Sequence, residues 1–278
     1  MTSASARVTL IAMLVVGLVP VLLPLVWMIS TSLKPEFDVF AYPPQIIPAR
    51  LRPQNYADVF SQAPFARQYF SSLYLGFADV VGTAIVASLA GYALARLRFP
   101  GRGLVLPLLL SALLLPSEIL IVPQYALFSN LGLIGTQVPL VLEPVFGAPA
   151  IVGTFLMRQF FLSLPRELED AGRVDGLGGL GVFLRIALPL SGPALATLAI
   201  MTFLANWNAY LEPLVFTSGR PELITLPVAL NEFTNFDGTP QYSLQMAATT
   251  LSILPVALVF LLAQRHIVAG IARSGLKG

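Results

Sequence analysis

Six long apolar runs dominate the chain, at residues 8–29, 72–95, 104–127, 138–160, 187–211 and 243–263. Each holds about the 20 residues that a helix needs to cross roughly 30 Å of hydrocarbon. The pattern predicts an all-α membrane protein with six transmembrane helices, built as a single domain over residues 1–278. The first run follows Arg7, but it is longer than a signal-peptide core and no A-x-A-like site follows it, so it reads as a retained span.

Between the fourth and fifth runs the pattern turns polar over Leu164-Pro-Arg-Glu-Leu-Glu-Asp-Ala-Gly-Arg-Val-Asp175-Gly176. Pro165 suits the first turn of a helix, where its missing N–H is no loss. Glu167, Glu169 and Asp170 then sit in the early turns, favourably placed towards the helix dipole. Asp175-Gly176 ends that helix, because glycine accepts a positive φ. A second, more apolar segment leads into Leu188-Pro189. The expectation is two short helices with an elbow at 163–186. Two readings are open on these residues alone: an interfacial hairpin that only joins two spans, or a surface that a partner grips.

Orientation follows from Lys and Arg in the connecting segments. One side carries eleven basic residues (Arg7, Arg96, Arg98, Arg102, Arg158, Arg166, Arg173, Arg185, Arg265, Arg273 and Lys277) and the other five. This places both termini and the 158–186 loop in the cytoplasm. The outer segment from Lys34 to Gln68 is rich in Pro and aromatics, which predicts an ordered stretch rather than a flexible linker.

Composition sharpens the picture. Apolar residues make up 56% and charged residues 11%, against about 25% charge in soluble domains, and mean hydropathy is +0.80. With no cysteine, there is no disulfide, Cys-based metal site or thiol nucleophile. The pI near 9 belongs to the inner-face anchors and does not point to nucleic acid.

Enzymatic motifs are missing or out of context. Gly176-Leu-Gly178-Gly-Leu-Gly181 matches G-x-G-x-x-G, but no strand precedes it and an apolar run lies about twenty residues on. No phosphate-binding G-x-x-x-x-G-K-[ST] occurs, so this chain binds no nucleotide by that route. The single His266 cannot build a His-based metal site and reads as an anchor at the end of the last span.

Asp79, Glu118, Glu143 and Glu212 fall within or at the ends of apolar runs. Each costs roughly 2.5–3.5 kcal/mol at a helix centre, so each should face protein or water. One reading has them satisfying neighbouring helices. The other makes a polar path of Glu118, Asn206, Asn208, Tyr210 and Glu212, with Trp207 or Tyr210 offering an aromatic face for stacking.

The loop resembles the "EAA" loop of ABC-importer permeases: Glu-Ala-Ala, three residues, Gly, nine residues, Ile-x-Leu-Pro. Asp170-Ala171-Gly172 stands at the first three positions, Gly176 follows after three residues, and Ile186-Ala-Leu188-Pro189 after nine more. Asp170 keeps the usual charge on a shorter arm, and Gly172 replaces the second Ala at a cost of up to about 1 kcal/mol of helix propensity. The resemblance extends over most of the chain through Ser32-Leu-Lys34-Pro, Pro53-Gln-Asn55-Tyr56, Tyr92-Ala-Leu-Ala-Arg96-Leu-Arg98-Phe-Pro-Gly, Leu156-Met-Arg158-Gln-Phe-Phe, Trp207-Asn208, Glu212-Pro-Leu and Thr225-Leu-Pro. These segments are similar to the smaller, second permease of the maltose-type carbohydrate importers.

That resemblance implies an alternating-access importer subunit and not an enzyme. It implies a second, homologous permease, a cytoplasmic ATPase dimer holding ATP and Mg, and an extracytoplasmic binding protein. Coupling to the ATPase is then expected at Glu167, Asp170, Ala171, Gly172, Asp175, Gly176 and Pro189, and at Lys277 in the tail. A path with acids and no bases favours a neutral or amino sugar. A polyol phosphate or phosphodiester importer is the rival expectation, and an ATP-independent secondary transporter a more remote one. The latter should show broken helices repeated in both halves, a symmetry the sequence does not display.

Overall fold

The computed structural model describes the backbone of residues 4–234 and 238–274, and side chains over residues 9–234 and 238–262. Its regular elements are helical: α1 (Ala4–Ser32), α2 (Asn55–Gln62), α3 (Phe65–Arg96), α4 (Arg102–Ala112), α5 (Ser117–Asn130), α6 (Val138–Phe146), α7 (Ala148–Ser163), α8 (Arg166–Val174), α9 (Gly179–Val182), α10 (Leu188–Leu190), α11 (Gly192–Trp207), α12 (Leu211–Phe216), α13 (Leu226–Ala229) and α14 (Tyr242–Ser274). A π-helical turn, Phe183–Ala187, joins α9 to α10.

Among the described residues, four stretches are long and apolar enough to cross a membrane: Thr9–Ser32, Phe65–Arg96, Val138–Ser163 and Tyr242–Leu262. The third and fifth expected spans are not continuous helices. The third bends by 99° between α4 and α5, and the fifth by 75° between α10 and α11. Pro116 explains the first bend, since it disfavours helical geometry in the residue before it and stands at the N-cap of α5. At the second, Ser191 stands at the N-cap of α11 and Pro193 in its first turn, directly after Gly192. The break therefore falls beyond Pro189, which lies inside the three-residue α10.

The chain divides into two compact units. One combines residues 1–66 with residues 229–255. Here Asn55 holds the turn after α1, donating from Nδ2 to the carbonyls of Ser32 (2.9 Å) and Lys34 (2.8 Å). Lys34 is buried, donates to the Gln45 carbonyl at 2.6 Å, and lies 4.5 Å from the centre of the Trp27 ring. The Glu36 carboxylate accepts the Tyr242 and Ser243 N–H groups (2.9 and 2.8 Å) and the Ser243 hydroxyl (2.6 Å), capping α14. These polar contacts, buried at Asn55, order the Pro-rich segment, as its composition predicts.

The other unit combines residues 67–228 with residues 256–278. Its core centres on Tyr92, Phe161 and Phe183, whose rings pack edge-on or tilted at 5.0–6.3 Å. Small residues let α3 and α7 approach closely: a Cβ on Gly91 would stand 2.8 Å from the Met157 Cβ and 2.9 Å from the Arg158 backbone nitrogen. Membrane helices associate through such close backbone contact, because lipid supplies no hydrophobic drive between them.

Candidate functional site

The 163–186 segment forms the expected pair of short helices. Helix α8 opens one residue later than Pro165 and closes at Asp175. Gly176 adopts φ +86°. Its N–H bonds the Arg173 carbonyl and the Leu177 N–H bonds the Gly172 carbonyl, both at 3.0 Å. These two bonds make a Schellman cap, which ends the helix and turns the chain at the residue where a side chain costs most. Gly172 is buried against the following segment, where an added Cβ would press on the Ile186 Cδ1 methyl. An alanine there requires the Ile186 terminal methyl to swing aside.

The acids of α8 divide by face. Glu169 is buried, whereas Glu167, Asp170 and Asp175 are exposed. Arg96 at the end of α3 donates from Nε to Glu169 Oε1 at 2.6 Å and from its terminal nitrogen to the Leu164 carbonyl at 2.7 Å. The Tyr92 hydroxyl reaches Glu169 Oε2 at 3.3 Å. Asp170 pairs with Arg173 at 2.8 Å on the surface. Between the exposed acids lie the exposed apolar side chains of Leu168, Ala171 and Val174, the last 88% accessible. Pro189 is exposed, and Lys277 and the His266 side chain lie outside the described residues.

A cavity of about 240 Å³ opens in the second unit among α5, α6, α7, α11 and α12. Its polar lining comes from Ser117, Glu143, Thr202, Asn206, Glu212 and Thr225, with no Lys or Arg among the lining residues. Asn206 Nδ2 donates to Asp79 Oδ2 on α3. Asn206 Oδ1, Asp79 Oδ1 and Thr225 Oγ1 are buried without a hydrogen-bond partner. Each such group carries a desolvation cost of about 1–3 kcal/mol, and this buried polar cluster lies behind the cavity wall that Asn206 and Thr225 help to form.

Of the six residues expected on a polar path, the structure brings Asn206 and Glu212 to this cavity. Glu118, Asn208 and Tyr210 are exposed elsewhere, with Asn208 bonding its own helix at the Leu204 carbonyl. Trp207 corrects the stacking expectation: it is 4% accessible, stacks on Phe203 at 5.4 Å and meets Tyr69 edge-on, so it is a packing residue. Glu143, a membrane acid outside the expected path set, belongs to the cavity. The available signal was its place beside Pro144 and Gly147, where α6 gives way to α7.

Comparison with known proteins places this architecture. Residues 70–273 match the family described as "Binding-protein-dependent transport system inner membrane component". The chain is 34% identical over 258 residues to the arabinooligosaccharides transport system permease protein of Halalkalibacterium halodurans, covering 92% of this chain and 91% of that one. It is 36% identical over 270 residues to the sn-glycerol-3-phosphate transport system permease protein of Yersinia enterocolitica, covering 94% of each. The fold matches a chain of a bacterial ABC transporter "involved in the import of the acidic polysaccharide alginate" with a TM-score of 0.83 at 22% identity, over 95% of this chain and 98% of that one. This chain belongs to the binding-protein-dependent inner-membrane components: it is a permease subunit of an ABC importer, whose ATPase is a separate chain.

Proposed function

We propose that this permease moves a carbohydrate, a neutral or amino sugar or an oligosaccharide, by alternating access along a path that includes the α5–α6–α11–α12 cavity. The observation that carries this reading is the cavity wall. Its lining hydroxyl and amide residues Ser117, Thr202 and Asn206 suit sugar hydroxyls, and its Glu143 and Glu212 carboxylates suit hydroxyls or an ammonium group. A cavity of about 240 Å³ holds a group the size of one sugar ring. The arabinooligosaccharides named for one relative are cargo of this kind.

Outside the cavity, α8 and its elbow act as the cytoplasmic coupling loop. Its exposed mixture of Leu168, Ala171 and Val174 with Glu167, Asp170 and Asp175 suits a protein cleft better than water. Both chain termini lie on that same, cytoplasmic side by the Lys/Arg asymmetry. A second, homologous permease completes the pathway. ATP with Mg on the ATPase pair supplies the closing force, and this chain's part is to carry α8 with it.

A second reading, polyol phosphate import, is favoured by the sn-glycerol-3-phosphate relative. Against it stands a lining with two carboxylates and no base. Uptake into proteoliposomes bearing the whole importer and its binding protein separates the two. Arabinooligosaccharide or amino-sugar oligomer uptake, unaffected by excess sn-glycerol-3-phosphate, is expected; uptake of the phosphate ester alone would overturn the assignment.

A further inference from the structure

We propose that the buried Arg96–Glu169 pair fuses α8 to the inner end of α3, so that the two move as one lever. This rests on the reading of α8 as the coupling helix. Both side chains are 5% accessible at a contact of 2.6 Å. The same guanidinium binds the Leu164 carbonyl at the end of α7, so one side chain ties three helices at one point. The planar fork of arginine reaches two acceptors in fixed directions, which a lysine ammonium does not. Tyr92 and Arg173 add contacts to Glu169 Oε2 at 3.3 and 3.9 Å.

A buried ion pair returns little net stability against an apolar pair of similar volume, because desolvation offsets the attraction. What it supplies is defined geometry, since each partner is strongly disfavoured without the other. One turn above, Gly91 presses α3 onto the α7 backbone, and the Gly172–Ile186 contact seats α8 on the segment that follows it. Glu169 faces away from the exposed side of α8, so it is a positioning residue that acts through α3 and not a contact to the ATPase.

The test uses the whole importer, with partner chains freed of reactive cysteine, and the absence of native cysteine in this chain. Spin labels go on introduced cysteines at Leu89 on α3 and Arg166 on α8, both exposed. Their distance is measured without nucleotide and after trapping with MgATP and vanadate. The expected result is one narrow distance, the same in both states, in the otherwise unaltered chain. In Glu169→Gln the distance should shift or broaden on trapping while the ATPase still co-purifies. A distance that changes on trapping in the unaltered chain overturns the proposal, and so does a Glu169→Gln complex that keeps the narrow, unchanged distance. Loss of ATPase recovery in a folded Glu169→Gln chain also overturns it, by assigning Glu169 to docking. Should Glu169→Gln not fold, Arg96→Lys is read by the same distances; if neither folds, the pair is only a folding element and the proposal fails. Failure to recover any ATPase with the unaltered chain is a separate result, which removes the coupling-helix reading itself.

Discussion

Gly91→Ala tests the close seating of α3 on α7 with a single methyl group. An added Cβ would lie 2.8 Å from the Met157 Cβ, 2.9 Å from the Arg158 nitrogen and 3.1 Å from the Thr154 carbonyl oxygen. Two of these three neighbours are backbone atoms, which cannot rotate away, so the helices must part by roughly 0.5 Å to restore ordinary contact. A gap of that size forfeits a quarter or more of the dispersion attraction across the seam. Overpacking of this kind costs about 1–3 kcal/mol, and the better helix propensity of alanine offsets up to about 1 kcal/mol. The expected net loss is about 1–2 kcal/mol, read as a fall of several degrees in the melting midpoint of the purified importer. Gly17→Ala is the matched control, since nothing lies within 4 Å of its added Cβ, and it should melt at or slightly above the parent. A Gly91→Ala protein as stable as Gly17→Ala would refute the packing argument.

Three other substitutions have distinct expected outcomes. Gly176→Arg has open space for its Cβ but a φ of +86°, a strain of about 1–2 kcal/mol; the complex should assemble while ATP hydrolysis no longer drives uptake, and near-parental uptake would contradict this. Glu212→Gln keeps the shape of the cavity wall and removes a charge, so uptake of an amino-sugar oligomer should fall by about tenfold or more with the melting midpoint unchanged. Equal uptake of amino and neutral oligomers by both proteins would remove Glu212 from the path. Trp207→Ala, by contrast, deletes a buried, stacked ring at about 3–5 kcal/mol; it should appear as lost folded protein on size-exclusion chromatography, and a normal yield with a selective uptake defect would restore it to the path.

The four continuous apolar helices were legible because hydropathy adds up along a chain. The bends at Pro116 and at Ser191–Pro193 were not, because apolar turns and apolar helices have the same composition. The two bent helix pairs also mean that a lack of broken helices does not argue against a secondary transporter here; the family match does. In the loop, Asp175-Gly176 located the elbow, since glycine readily accepts the φ of +86° found at Gly176. The division of Glu169 from Asp170 was invisible, because adjacent acids on a helix differ only in which face meets α3. Likewise Trp207 and Asn206 are neighbours in sequence, yet helical rotation sends one ring into the core and the other side chain to the cavity and Asp79.

The most direct test of the coupling account is co-purification from native membranes, comparing the intact chain with one lacking residues 165–185. The account predicts that an ATPase accompanies the intact chain only, with the second permease recovered in both. An ATPase recovered equally with both chains, or with neither, would contradict it.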